Sequence, residues 1–383
     1  MPWRRTDVKN ERIRFIVDAE QEDRNMAALC REFRISRKTG YKWLRRFREG
    51  GNLDALDDLS RCPHNSPNQT SEAIEQRVEA LRRSTGWGGE KLKLVLAGEG
   101  IHLAASTIDR IVKRRGLTRE RRRGKKATGR FERSRPNELW QMDFKGEYRL
   151  KEGGYCHPLS ILDDNSRYNV GLFALRSIRT PGVQRSLIDC FERCGVPEAM
   201  LMDHGIPWWS NTNGYGLTKL SVFLIKQGID LIYGAPYHPQ TQGKVERFHR
   251  TLDETLRYVG LPNTIAGFRA AFASFSPTYN DHRPHESLDM QVPGKRYTRS
   301  PQAYNPSPAH WIYPSGTEVR RLNSAGCLTH KRRRYFVCEA LANEEVAYQT
   351  FSDRLLVTYR HMHIREINLS TRRTKSLVQP VDS

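Results

Sequence analysis

Gly234-Ala-Pro-Tyr-His-Pro-Gln-Thr-Gln-Gly-Lys-Val-Glu-Arg-Phe-His-Arg250 opens as a turn, with Pro236, Pro239 and Gly243, and continues as a helix to about Leu256. Val245, Phe248, Leu252 and Leu256 recur at spacings of three and four, which makes one buried stripe along that helix. Glu246 falls in the first turn beside the stripe, on the flank of His249 and Arg250. The helix macrodipole favours a carboxylate there. A glutamate in a first turn is by itself only a good helix former.

Two further acids lie upstream in strand-like settings. Leu139-Trp-Gln-Met-Asp-Phe144 is apolar and aromatic, with Asp143 where a central strand would carry a hydrophobe. Ala199-Met-Leu-Met-Asp-His-Gly205 is a short apolar run ending at Asp203, with Gly205 as its turn signal. An acid in a strand, one at a strand end and one on a helix can meet at one sheet edge. Three convergent carboxylates need a neutralising cation, and hard oxygen donors suit Mg²⁺ or Mn²⁺.

The composition points to a polyanionic partner. The 383 residues carry a formal net charge of +21 and a pI near 9.9, which favours nucleic acid or an acidic membrane. The length suggests two to three domains. No apolar run approaches the ~20 residues of a membrane span, and Met1-Pro-Trp-Arg-Arg5 lacks a signal-peptide core. Seven scattered cysteines without a Cys-x-x-Cys pair indicate neither a disulfide framework nor a zinc knuckle, as expected of a reduced cytoplasmic protein.

Residues 7–48 read as a helix-turn-helix unit. Met26 to Phe33 has a helical apolar pattern, Ile35-Ser36 turns, and Ser36 caps a second helix from Arg37 to Phe47. That helix would bury Leu44 and Phe47 and present Arg37, Lys38, Tyr41 and Lys42 to a major groove. A linker at 49–70 leads to a second such unit at 71–116, where Ser106 is expected to cap the helix Ile108 to Val112. Lys113 to Arg135 then holds twelve basic residues against Glu120 and Glu132. This basic linker, 117–136, would track phosphates through Arg121, Arg122, Arg123, Lys125 and Lys126. Six such contacts would give log K against log salt a slope of about −5.

From Asn137 the pattern mixes strands at 138–144, 155–162, 168–174, 198–203 and 230–234 with helices at 180–193, 217–227 and 243–258. This predicts a mixed sheet covered by helices. Asp163 and Asp164, in the turn Asp163-Asp-Asn-Ser-Arg167, are expected to shape the turn. Beyond a Pro- and Ser-rich stretch, five strand-like segments between 317 and 367 predict a small β-barrel spanning about 317–370, with basic residues Arg320, Arg321 and Lys331 to Arg334 on its surface. His361 and His363 would share a strand face without a further ligand, and His282 and His285 read as structural.

Trp140-x-x-Asp143, Asp203-x-Gly205, Tyr237-His-Pro-Gln-Thr-Gln-Gly-Lys-Val-Glu246-Arg-Phe-His249 and Tyr279-Asn-Asp-His-Arg-Pro-His-Glu-Ser-Leu288 resemble the integrase core of DDE-type insertion-sequence transposases and retroviral-type integrases. The likeness spans about residues 10–300. It implies a multidomain α+β chain: N-terminal helix-turn-helix units, a ribonuclease H-like mixed-sheet core over 137–300, and a C-terminal DNA-binding tail. It also implies that Asp143, Asp203 and Glu246 form the catalytic triad, with two divalent ions per site and Asp143 bridging them. The activity would be cleavage of double-stranded DNA at element ends followed by joining to a target. Gln242, Lys244, His249 and Arg250, with His238 and Gln240, would hold phosphate or bases beside the acids.

Two features depart from the family pattern. The interval from Asp203 to Glu246 is longer than usual, the excess being assigned to a surface loop at Trp208 to Gly216. Asp253 stands where the family often has Lys or Arg, so Arg250 or Arg257 would have to take over that DNA contact. Joining two ends implies at least a dimer on DNA, in the bacterial cytoplasm at the nucleoid. Two alternatives remain: a non-catalytic DNA-binding regulator derived from a transposase, and a nuclease of the same fold that does not join strands.

Overall fold

The computed structural model describes residues 7–59, 69–118, 132–210, 216–234, 243–378 and 380–381. The chain falls into two compact units, 1–70 and 71–383. Among the described residues no helix is long and apolar enough to cross a membrane.

The first unit packs three helices, α1 (Val8–Ala19), α2 (Met26–Glu32) and α3 (Arg37–Gly50), around Phe15, Ile16, Leu29, Cys30, Trp43 and Leu44. The Ser36 hydroxyl accepts the Thr39 N–H at 3.1 Å and fixes the start of α3. Gly40 is required by the packing. A Cβ there would stand 2.6 Å from Cys30 Sγ and 2.8 Å from the Phe15 ring, so only glycine lets α3 lie this close. Leu44 is buried as expected and Phe47 half-buried, while Arg37, Lys38, Tyr41 and Lys42 are exposed on the outer face.

The second unit opens with another three-helix group, α4 (Glu72–Thr85), α5 (Gly89–Gly98) and α6 (Ala105–Arg114), closed around Val78, Trp87, Leu92, Leu96, Ile108 and Ile111. Here the expected Ser106 cap is corrected. Ala104 is the N-cap of α6 and makes no side-chain bond, because the helix begins before Ser106 and places it inside the first turn.

The core sheet contains β1 (Trp140–Phe144), β2 (Tyr148–Arg149), β3 (Tyr155–Asp163), β4 (Asn169–Leu175), β5 (Ala199–Met202) and β6 (Asp230–Gly234). β1, β3 and β4 pair antiparallel, whereas β5 joins β1 and β6 joins β5 in parallel. One face carries Trp140, Met142, Leu159 and Ile161 against α7 (Thr180–Cys194) and α8 (Lys219–Lys226). The other face carries Leu162 and Ala174 against α9 (Gly243–Val259) and α10 (Ile265–Pro277). All four apolar residues of the α9 stripe are buried. Burying one such side chain is worth about 1.5–3 kcal/mol, so the stripe holds α9 on the sheet. The Tyr279-Asn280 segment reinforces this. Tyr279 packs edge-on to Phe248 at 4.9 Å, and Asn280 exchanges bonds of 2.8 and 3.0 Å with the Asn169 backbone on β4.

After the one-turn α11 (Pro293–Arg296), the C-terminal part comprises β7 (Glu318–Arg321), β8 (Cys327–His330), β9 (Arg333–Phe336), β10 (Glu345–Phe351), β11 (Arg354–Tyr359), β12 (Met362–Asn368) and β13 (Thr374–Ser376), with β14 (Pro380–Val381) returning to pair with β6. The expected barrel is corrected: β13-β12-β11-β10-β7 is an open five-stranded sheet beside a separate β8-β9 hairpin. Its apolar face is covered from outside. Leu322, Leu328, Val346 and Val357 belong to the same buried cluster as Leu224 and Ile225 of α8, and Lys226 on α8 pairs with Glu344 at 2.6 Å. A sheet whose apolar face is already covered has no need to close on itself. Arg320, Arg321 and Lys331 to Arg334 are exposed. His361 lies in the turn before β12 rather than on the strand, 3.3 Å from Asp230, while His363 bonds to Thr358.

Candidate active site

Asp143 lies on β1 opposite Ser160 of β3, on the sheet face that α9 covers. Asp203 follows the last residue of β5, the strand beside β1. Glu246 is exposed in the first turn of α9. The charges of Asp203 and Glu246 both act on Asp143. Burial, then the charge of Asp203, then that of Glu246 push the Asp143 carboxyl from 3.8 up to about 7, against a backbone bond from Phe144. The side chains are not gathered into a closed ligand set. Among the described residues, no three His, Cys, Asp or Glu side chains stand close enough together to hold a metal ion.

What fixes Asp203 was not legible beforehand. Its Oδ1 accepts the Gly205 N–H at 2.9 Å and the Trp208 indole N–H. A Cβ at Gly205 would sit 2.9 Å from that same oxygen and push the Asp203 carboxylate out of this position. Trp208 is buried and stacks on Phe144, the neighbour of Asp143, with ring centres 5.3 Å apart. The Trp208 carbonyl accepts the hydroxyls of Ser221 and Tyr233 at 2.9 and 3.1 Å. The expected surface loop at Trp208 to Gly216 is thus corrected at its start. Trp208 is core and Trp209 packs edge-on to Tyr233 at 4.8 Å; residues 211–215 lie outside the described residues.

His249 and Lys244, expected among the DNA contacts, turn inward. His249 is buried, with Nε2 3.0 Å from Ser160 Oγ and Nδ1 3.8 Å from Asp143 Oδ2. Burial and the Lys145 charge push its pKa down to about 4, so near neutral pH the ring is uncharged and supports Asp143 by packing rather than as an ion. Lys244 reaches Asp164 Oδ1 at 2.5 Å, and burial lowers its pKa to about 8. Helical periodicity places His249 on the flank of Glu246 but cannot tell which side the sheet covers.

Asp163 and Asp164 shape their turn. Asp163 accepts the backbone N–H groups of Ser166 and Asn137 at 2.8 and 2.7 Å, and Asp164 accepts the Gln141 side-chain amide at 2.8 Å. Asp253 accepts the Tyr148 hydroxyl at 2.5 Å and pairs with Lys145 Nζ at 2.8 Å. Burial opposes the Asp253 charge, but Lys145 and Tyr148 outweigh it and hold the carboxyl below its usual range. The acid in the family's basic position therefore anchors a lysine two residues from Asp143.

Arg250 and Arg257 are exposed. Gln242, His238, Gln240, Arg121, Arg122, Arg123, Lys125 and Lys126 lie outside the described residues.

Comparison with known proteins matches the segments that carry these elements. Residues 133–239 and 227–293 each match the integrase core domain. Residues 11–64 match a helix-turn-helix domain and residues 39–112 a homeodomain-like domain. These matches define the class, an integrase core behind DNA-binding helical units. Over these residues the chain is similar to DDE integrase-like insertion-sequence transposases.

It is 27% identical over 244 residues to the insertion element IS407 uncharacterized 31.7 kDa protein of Burkholderia multivorans, a match covering 60% of this chain and 82% of that one. It is 29% identical over 140 residues to the transposase for transposon Tn552 of Staphylococcus aureus, covering 32% of this chain and 27% of that protein. Among solved structures, the HTLV-2 integrase catalytic core domain in complex with magnesium matches 43% of this chain and 97% of its own, at 16% identity and a TM-score of 0.32.

Proposed function

We propose that the chain is a transposase that binds the double-stranded ends of a mobile element as a dimer or larger assembly, cleaves them and joins them to target DNA. The observation that carries this reading is the placement of Asp143 on β1, of Asp203 just after the neighbouring strand β5, and of Glu246 in the first turn of α9, which packs on β1.

The donor chemistry fits magnesium or manganese: three carboxylates, and an Asp143 carboxyl that its acidic neighbours leave in need of a counter-charge. Glu246 is exposed, and among the described residues it accepts no hydrogen bond and makes no ion pair. Asp143, Asp203 and Glu246 would hold two such ions, whose chemistry would be to activate a water or 3′-hydroxyl and to stabilise a leaving 3′-oxygen. Trp208 and Gly205 hold Asp203 in place, His249 and Ser160 pack behind Asp143, and Asp253 holds the Lys145 side chain two residues from Asp143. The outer face of α3, with Arg37, Lys38, Tyr41 and Lys42, is our candidate for reading the element ends, and Arg250 for a phosphate contact beside Glu246.

The test is a magnesium-dependent strand-transfer assay on a duplex bearing the inverted repeats that flank the gene. Asp143→Asn and Glu246→Gln are expected to abolish joining while end binding stays near wild type. Wild-type chain that binds such ends but never nicks them would make this a DNA-binding regulator, and nicking without joining would make it a nuclease.

A further inference from the structure

We propose that Lys91, Arg247 and Arg283 form a phosphate-binding seat for the DNA backbone, built between the second helical group and the helix that carries Glu246. The inference rests on the transposase reading and assigns that DNA a path along the chain.

The seat joins three distant parts of the second unit. α4 packs on α9, where a Cβ on Gly86 would lie 3.7 Å from the Tyr258 ring. The Arg283 guanidinium lies 5.8 Å from the ring centre of Trp87, at the entrance to α5, one turn before Lys91. Lys91 and Arg283 are partly buried, and Arg247, adjacent to Glu246 on α9, is exposed.

Charge makes this a site rather than a packing contact. The Phe248–Tyr279 and Tyr279–His285 ring contacts, at 4.9 and 4.7 Å, bring the start of α9 beside the segment that carries Arg283, and Arg283 and Arg247 both act on Lys91 against the acids Glu286 and Glu254. Among the described residues, none of the three cations has a carboxylate within ion-pair distance, and both acids are exposed. Elsewhere in the second unit cations of similar exposure are paired, as Arg115 is with Glu72 and Lys145 with Asp253. Burial first, and then Arg283 and Arg247, depress Lys91 to about 8, and the same cations help keep His285 uncharged. A partly buried positive cluster without a partner costs stability unless an anion completes it. A chain of net charge +21 with an acidic cleavage site one residue away on α9 points to a DNA phosphate as that anion.

The test uses the full chain and fluorescence anisotropy with a labelled duplex across a range of KCl. Lys91→Met and Arg247→Gln should each reduce the slope of log K against log salt by about 1 and weaken binding roughly eightfold at 0.1 M salt. Without DNA, Lys91→Met should melt higher than wild type, because it removes an unpaired charge and keeps the methylene stem; a purely structural lysine would give the opposite shift. Unchanged slopes in folded variants would overturn the seat and leave the transposase reading standing. So would inorganic phosphate raising the wild-type melting point at matched ionic strength while the DNA slopes stay unchanged, since that marks a free-anion site. Wild-type chain that binds no duplex would remove both proposals together.

Discussion

Replacing Trp208 by Phe removes one N–H and the outer ring of a side chain that joins two of the three acids. In the native structure that N–H donates to Asp203, and the ring stacks on Phe144 next to Asp143. A hydrogen bond to a charged acceptor contributes about 1.5–3 kcal/mol, and the lost ring volume adds a smaller cavity cost. Trp208→Phe should therefore lower unfolding stability by about 2–3 kcal/mol in urea titrations. The effect on catalysis should be larger in kind, because Asp203 loses its anchor and misplacement by about 1 Å can cost a hundredfold in rate. Single-turnover cleavage should fall at least about tenfold, with more magnesium needed for half-maximal rate. Phe144→Leu provides the contrast: it forfeits a stack worth about 0.5–1.5 kcal/mol but keeps the N–H, so it should cost stability with a milder loss of rate. A folded Trp208→Phe chain that cleaves at the wild-type rate and magnesium requirement would refute the positioning argument.

Asp143 gives a pH signature. Its carboxyl titrates at about 7 when folded against 3.8 unfolded, so between those values the folded chain holds the extra proton and stability falls as pH rises. In metal-free buffer the loss should reach about 3 kcal/mol between pH 4 and pH 7, and Asp143→Asn should remove most of it while abolishing cleavage. Equal pH dependence in both chains would contradict this. Asp253→Asn should loosen Lys145 and slow cleavage severalfold, whereas Asp253→Lys should be worse, since it sets two cations face to face; a gain in activity from Asp253→Lys would show that the lysine at 145 does not occupy the role assigned here.

The elements that present the acids were legible because their burial is periodic. The α9 stripe and the strand segments around β1, β3, β4, β5 and β6 all form within about two residues of expectation. Helix α10 was overlooked although Phe268, Phe272 and Phe275 carry its buried face, because its Ala- and Ser-rich remainder gives a weak contrast. The two-residue strands β2 and β14 are too short to carry a pattern, and β14 exists only because the chain returns from 146 residues away to pair with β6. The open C-terminal sheet depends on what covers its apolar face, which alternation along a strand does not encode. The same limit applies within the site. Spacing placed His249 on the flank of Glu246 and the resemblance put Lys244 beside the acids, but their partners, Ser160 and Asp164, are 80 or more residues distant. Trp208 read as loop because its flanks are polar and Gly-rich, and the Lys91–Arg283 seat joins residues with no relation along the chain.

The most direct measurement is manganese binding to the full chain on an end-bearing duplex, followed by electron paramagnetic resonance in wild type and in Asp143→Asn, Asp203→Asn and Glu246→Gln. Saturable binding in wild type that is weakened by each single substitution, with the duplex still bound, is the predicted result. Manganese held equally well by all four chains would place the metal elsewhere and contradict the account.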